Sequence, residues 1–183
     1  EVYNITTEEI ELNMSFKNAS ITEYYDLYLI AIGYLGNTKK AKIDLKEAKD
    51  IFEINFLNLL PWISEITNTD RIKKRGSLWI ISSVAGDIGR PSNYFYGASK
   101  SGITTFLSGL RNRLHKKGVH VITVKPGFVY SAMTKTINPP SLLTVSPKTF
   151  ANRLYKCFVK RRNVIFINAI WLYIMFIIPQ MIN

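Results

Sequence analysis

Residues 77–127 read SLWIISSVAGDIGRPSNYFYGASKSGITTFLSGLRNRLHKKGVHVITVKPG, and this stretch decides the fold. It opens with a short apolar run, Ser77 to Ser82, the signature of a strand buried on both faces. From Tyr94 to Lys117 the apolar residues Ala98, Ile103, Phe106, Leu107, Leu110 and Leu114 recur at three- and four-residue steps, which predicts a long helix. Gly118 follows two lysines and suits the helix end, where cations meet the negative pole of the dipole. Val119 to Lys125 is again a strand pattern, and Pro126-Gly127 stops it.

Upstream the same alternation holds. Asp26 to Gly33 is a strand candidate ending in glycine, and Asp44 to Thr67 has helical periodicity through Leu45, Ala48, Ile51, Phe52, Phe56, Leu59 and Leu60. Pro61 predicts a kink there. Strand, helix, strand, helix, strand is the order of a parallel sheet with crossover helices, so the expected class is α/β. Ligands of such sheets lie beyond the carboxyl ends of the strands. Residues 132–147, rich in Pro, Ser and Thr, read as a loop and a candidate substrate lid. The 183 residues are expected to form one domain.

Composition narrows the function. Residues 1–55 carry 10 acidic and 6 basic side chains; residues 56–183 carry 3 and 18, within a net charge of +11. That asymmetry favours an anionic partner: a phosphorylated cofactor, an anionic substrate or a membrane surface. No nucleic-acid motif accompanies it, so no nucleic-acid partner is expected. With a single cysteine, Cys157, and two histidines, His115 and His120, neither a metal site nor a Ser-His-Asp triad is supplied. Cys157 reads as a packed thiol.

Chemistry-bearing residues follow the strands. Tyr96 and Lys100 stand at i and i+4, on one helical face. A free tyrosine titrates at about 10, and a neighbouring ammonium favours its phenolate. Ser83 comes just past the second strand and 13 residues before Tyr96. Its hydroxyl can bond a substrate carbonyl or the backbone of its own turn. Gly127 permits close backbone approach to a ligand, with Ser131 and Thr134 beyond it. Asn55 is a poor helix-interior residue between Ile54 and Phe56, which asks for a reason.

The ordered set Gly33, Asn55, Ser83, Tyr96, Lys100 and Pro126-Gly127 resembles the short-chain dehydrogenase/reductase family, and the resemblance covers roughly residues 22–183. The wording of residues 83–96, 109–114 and 125–134, and the Trp171 to Pro179 tail, resembles the subgroup containing the decaprenylphosphoryl-2-keto-ribose reductases. The resemblance implies a Rossmann-type doubly wound sheet and a carbonyl/alcohol interconversion that uses NAD or NADP. In it Tyr96 would exchange the proton, Lys100 would lower the Tyr96 pKa and hold the nicotinamide ribose, and Ser83 would orient the substrate oxygen. Asn55 would hold a water of the proton relay. Gly33 would line the cofactor, and Pro126 to Ser131 would line the nicotinamide, with Val129 and Ser131 nearest its carboxamide. A small-molecule or lipid-linked keto substrate and a homo-oligomer paired through the Tyr96 helix are implied too.

This sequence departs from the family pattern at two points. No TGxxxGxG turn for the pyrophosphate precedes Gly33, so the chain reads as truncated at its N-terminus and inactive without that part. Asn4-Ile5 would stand at the adenine contact. The usual Asn-Asn-Ala-Gly turn reads Ile30-Ala-Ile-Gly33, which keeps only its glycine. A non-catalytic membrane-associated or binding scaffold of the same fold is the alternative.

The tail, Val164 to Ile182, is apolar after Lys160-Arg161-Arg162. Val164 to Asn168 reads as a strand, leaving about ten residues, or about 15 Å of helix, before Pro179. That is too short for a hydrocarbon core of about 30 Å. Two readings stay open: a core-packing helix, or a peripheral membrane contact with Trp171, Tyr173 and Phe176 in the interface. No secretory signal opens the chain, so a cytoplasmic location, at or away from the membrane surface, is expected.

Overall fold

A computed structural model of the chain describes residues 25–68, 72–135 and 137–181. The Asn4-Ile5 assignment lies outside them. Four strands form one sheet in the order β1-β2-β3-β6: β1 (Tyr25–Ile30), β2 (Ile72–Ile81), β3 (His120–Lys125) and β6 (Val164–Phe166). Every pairing is parallel, with Leu29 opposite Trp79 and Trp79 opposite Ile122. A two-stranded parallel sheet joins β4 (Phe128–Val129) to β5 (Thr144–Val145). The helices are α1 (Thr38–Ala41), α2 (Leu45–Phe52), α3 (Leu59–Asn68), α4 (Tyr94–His115), α5 (Pro147–Val159) and α6 (Ala169–Met181).

Side chains alternate across the central strands and build a layer on each face. Leu78, Ile80 and Val121 pack with Ile63, Ile66, Ile103, Leu107 and Leu114 of α3 and α4. Trp79, Ile122 and Val124 face the other way, onto Leu154 of α5, Val145 and Ile165, with Cys157 packed alongside. The doubly wound arrangement expected from the sequence is thus present. In β1 only Tyr28 and Ile30 reach the first layer, while Leu27 and Leu29 are 42% and 48% exposed.

Three expectations need correction. The helix break is not at Pro61. That residue sits in the first turn of α3, where its missing N–H has no intrahelical partner in any case. The irregularity comes earlier, as a π-turn over Glu53–Leu57 that carries Asn55. Strand β1 ends at Ile30, so Gly33 lies in the loop beyond it. Residues 132–147 are not a bare loop. They contain 3₁₀ turns at Ala132–Thr134 and Ser141–Leu143 as well as β5, and Thr144 Oγ1 donates to Pro140 O at 2.8 Å.

The tail forms β6 and the 13-residue α6. No helix among the described residues is long and apolar enough to cross a membrane. Trp171 is 4% exposed and therefore belongs to the core, whereas Tyr173 is 67% exposed. The side chain of Phe176 lies outside the described set.

Candidate active site at the carboxyl edge of the sheet

The candidate residues gather where the strands end. Ser83 leaves β2 and caps a 3₁₀ turn, Val84–Gly86, by accepting from Ala85 N at 3.1 Å. Helix α4 lies directly against that turn. A Cβ on Gly97 would come within 2.7 Å of Ala85 O, and one on Gly86 within 2.7 Å of the Lys100 backbone. Only glycine allows two backbones this close. The contact sets Tyr96, buried on the first turn of α4, beside the Ser83 hydroxyl. Burial pushes the Tyr96 phenol up to about 12, and its hydrogen bond with Ser83 acts in the opposite direction.

Lys100, one turn on, is 1% exposed. Its ammonium donates to Ile81 O at 3.1 Å and to Ile32 O at 3.4 Å, tying the end of β2 to the loop after β1. Burial brings its pKa down to about 8. Nζ lies 5.7 Å from the centroid of the Tyr96 ring. The family resemblance implies that this cation lowers the phenol's pKa; in this structure desolvation of the phenol prevails.

Asn55 explains the π-turn. It is fully buried, and its amide clasps the loop after β1: Oδ1 accepts from Tyr34 N at 3.0 Å, and Nδ2 donates to Tyr34 O at 2.6 Å and Ile51 O at 2.7 Å. The clasp holds Gly33 over the site. A Cβ on Gly33 would stand 3.4 Å from both Asn55 Oδ1 and Lys100 Nζ, and 3.7 Å from Met133 Cε. The glycine leaves a small polar space that both groups face.

Pro126 is buried, and its carbonyl accepts from Val84 N at 3.1 Å, joining the segment after β3 to the Ser83 turn. Val129 is half-buried in β4. Ser131 is exposed at the start of the next turn, where its N–H donates to Thr134 Oγ1 at 3.1 Å. Gly33, Asn55, Ser83, Tyr96, Lys100 and Pro126 therefore converge, while Val129 and Ser131 form the rim.

Four further residues of this edge, Asp87, Arg90, Lys125 and Trp171, carry no site signal in the sequence. Asp87 pairs with Lys125, Trp171 covers Gly127, and Arg90 lies against Trp171. Trp171 arrives from 44 residues beyond Gly127, and no local pattern carries that contact. Among the described residues no group of three His, Cys, Asp or Glu side chains is placed to hold a metal ion.

A family model described as short chain dehydrogenase matches residues 11–141. An uncharacterized oxidoreductase of Mycobacterium tuberculosis is 34% identical over 139 residues, covering 76% of this chain and 55% of the relative. A 3-oxoacyl-(acyl-carrier-protein) reductase of Synechocystis is 26% identical over 122 residues, covering 67% of this chain and 49% of the relative. The chain thus spans about half the length of these curated relatives. Among solved structures, a short chain dehydrogenase from Burkholderia cenocepacia in complex with NADP superposes with a TM-score of 0.71 at 17% identity, over 87% of this chain and 65% of that one. A 4-hydroxyisoleucine dehydrogenase mutant complexed with NADH and succinate gives 0.70 at 18%, over 86% and 76%. At these identities the likeness is one of fold.

Proposed function

This chain belongs to the short-chain dehydrogenase family, and on that premise we propose that it interconverts a carbonyl and an alcohol by hydride transfer with NAD or NADP. The observation that carries the reading is the convergence of the Ser83 and Tyr96 side chains beside a buried Lys100. When bound, the cofactor supplies or accepts the hydride. The chain's own residues fit its nicotinamide end. The space beside Gly33, faced by Lys100 Nζ and Asn55 Oδ1, suits a ribose hydroxyl or a relay water, and Pro126, Gly127, Val129 and Ser131 would line the ring. The pyrophosphate turn has no counterpart in these 183 residues, so this chain alone would hold the cofactor poorly and turn over little.

Tyr96 gives its proton to the carbonyl oxygen in reduction and takes one in oxidation. Burial keeps the phenol protonated at neutral pH, the form a donor needs. Ser83 holds the same oxygen by its hydroxyl. Lys100 is largely cationic at neutral pH and steadies negative charge as it develops on the phenol oxygen. With both amide hydrogens of Asn55 already spent on backbone carbonyls, its part in a relay would fall to its oxygens.

For the substrate we favour a lipid-linked keto-sugar, on the subgroup wording of residues 83–96. Exposed Leu172, Tyr173 and Ile177 on α6, close in sequence to Lys160-Arg161-Arg162, would let the protein rest on an anionic membrane surface. A homodimer through α4 is part of the same reading. The scaffold alternative is less favoured, because a scaffold has no need to bury an ammonium beside a phenol.

Tyr96→Phe in a chain that also carries the glycine-rich turn is the test. Loss of about 10²-fold or more in carbonyl-dependent NADPH or NADH oxidation is expected. An unchanged rate would overturn the role of Tyr96. The same assay on the 183-residue chain alone is expected to give little or no turnover.

A further inference from the structure

Arg90 lies in the loop between Ser83 and Tyr96 and is half-buried. Its guanidinium carbon stands 5.6 Å from the centre of the Trp171 ring, and Nη2 is 3.6 Å from Met175 Sδ. The ring beneath it is held from several sides. Trp171 Nε1 donates to Leu143 O at 3.3 Å, the Phe128 ring meets the indole edge-on at 5.7 Å, and the indole fills the space that a Gly127 side chain would take. Arg90 thereby stands over the indole that covers Gly127, in the segment that leads from Ser83 to Tyr96.

The charge balance there is incomplete. Asp87, the carboxylate whose field reaches Arg90, is ion-paired with Lys125. Two cations thus share one carboxylate. Among the described residues no carboxylate hydrogen-bonds the guanidinium, although burial has taken part of its hydration. A guanidinium laid against a ring keeps its in-plane N–H groups for an oxyanion. Among the described residues only one is engaged, by a thioether sulfur, which is a weak acceptor.

We propose that Arg90, held against Trp171, recognises an anionic group carried by the carbonyl substrate. This rests on the oxidoreductase reading and narrows its substrate class to keto compounds bearing a phosphate or carboxylate.

The test measures binding first, so that it does not depend on turnover. Dihydroxyacetone phosphate, pyruvate and uncharged dihydroxyacetone are titrated into the 183-residue chain while Trp171 emission is followed, with Trp171→Phe identifying the signal. The expected result is a saturable response to an anionic probe and none to the neutral ketone. Phosphate and carboxylate are told apart by which anionic probe responds. In Arg90→Met, affinity for the responding anion falls about tenfold or more, the scale of a hydrogen bond to a charged group. Arg90→Lys restores part of it, and circular dichroism checks that both variants fold. Equal affinity in Arg90→Met, equal response to charged and neutral ketones, or no response to either anion would overturn the assignment. Tyr96→Phe, in a chain carrying the glycine-rich turn, separates the two readings, since it should lower hydride transfer about 10²-fold while the anionic probe still binds more tightly than the neutral ketone. Anion binding without hydride transfer in a chain carrying the glycine-rich turn would sink the oxidoreductase reading alone.

Discussion

Burial of Lys100 has a consequence for stability. Its pKa in the fold is about 8, well below the 10.5 of an exposed lysine. Between those values the unfolded chain binds a proton that the folded chain does not, so stability rises with pH across this window. Wild type is expected to gain about 2 kcal/mol between pH 7.5 and 9.5 from this group, and Lys100→Met to lose that gain. Urea unfolding at the two pH values reads it directly. Tyr96 works in the opposite sense above pH 10, because its raised pKa holds a proton that the unfolded chain has released. Both residues were legible in the sequence as a Tyr/Lys pair on one helical face. Their electrostatics were not, since desolvation depends on what the rest of the chain places around them.

Helix α6 is set by one glycine. A Cβ at Gly127 would lie 1.8 Å from Trp171 Nε1, a distance that no small adjustment of a buried indole relieves. Gly127→Ala is expected to destabilise the fold by about 1–3 kcal/mol or more and to loosen α6. In a Trp171→Ala background the same change should cost little, so a double-mutant cycle by chemical denaturation measures the coupling. Additive effects would show that Trp171 does not lie on Gly127. In sequence Gly127 reads as a place for close ligand approach, and Trp171 belongs to a tail that either packs on the core or faces a membrane. The fold brings the two together.

On the scale of the whole molecule, the +11 charge and the exposed side chains of α6 make one prediction. The chain should co-sediment with vesicles containing anionic lipid, less so at high salt and less so when Leu172 and Ile177 are both replaced by Ser. Binding that ignores lipid charge, salt and these two residues would remove the membrane reading. The dimer reading concerns another face. A groove of about 540 Å³ between α3 and α4 is lined by Leu60, Ile63, Thr67, Thr105, Phe106 and Gly109, among others. Gly109→Glu should lower the sedimentation mass to that of one chain if copies pair there. A single-chain mass for wild type would end that reading. What the sequence determined by itself was the order of strands and helices, the sheet's parallel sense and that Ser83, Tyr96, Lys100 and Pro126-Gly127 follow its strands, because hydrophobic periodicity and turn residues are local signals. Tertiary structure alone decided that Asn55 clasps Tyr34, that Trp171 covers Gly127 and that Arg90 stands over Trp171 with no carboxylate among the described residues hydrogen-bonded to it. Each is a contact between segments distant along the chain, fixed by packing, on which local patterns are silent.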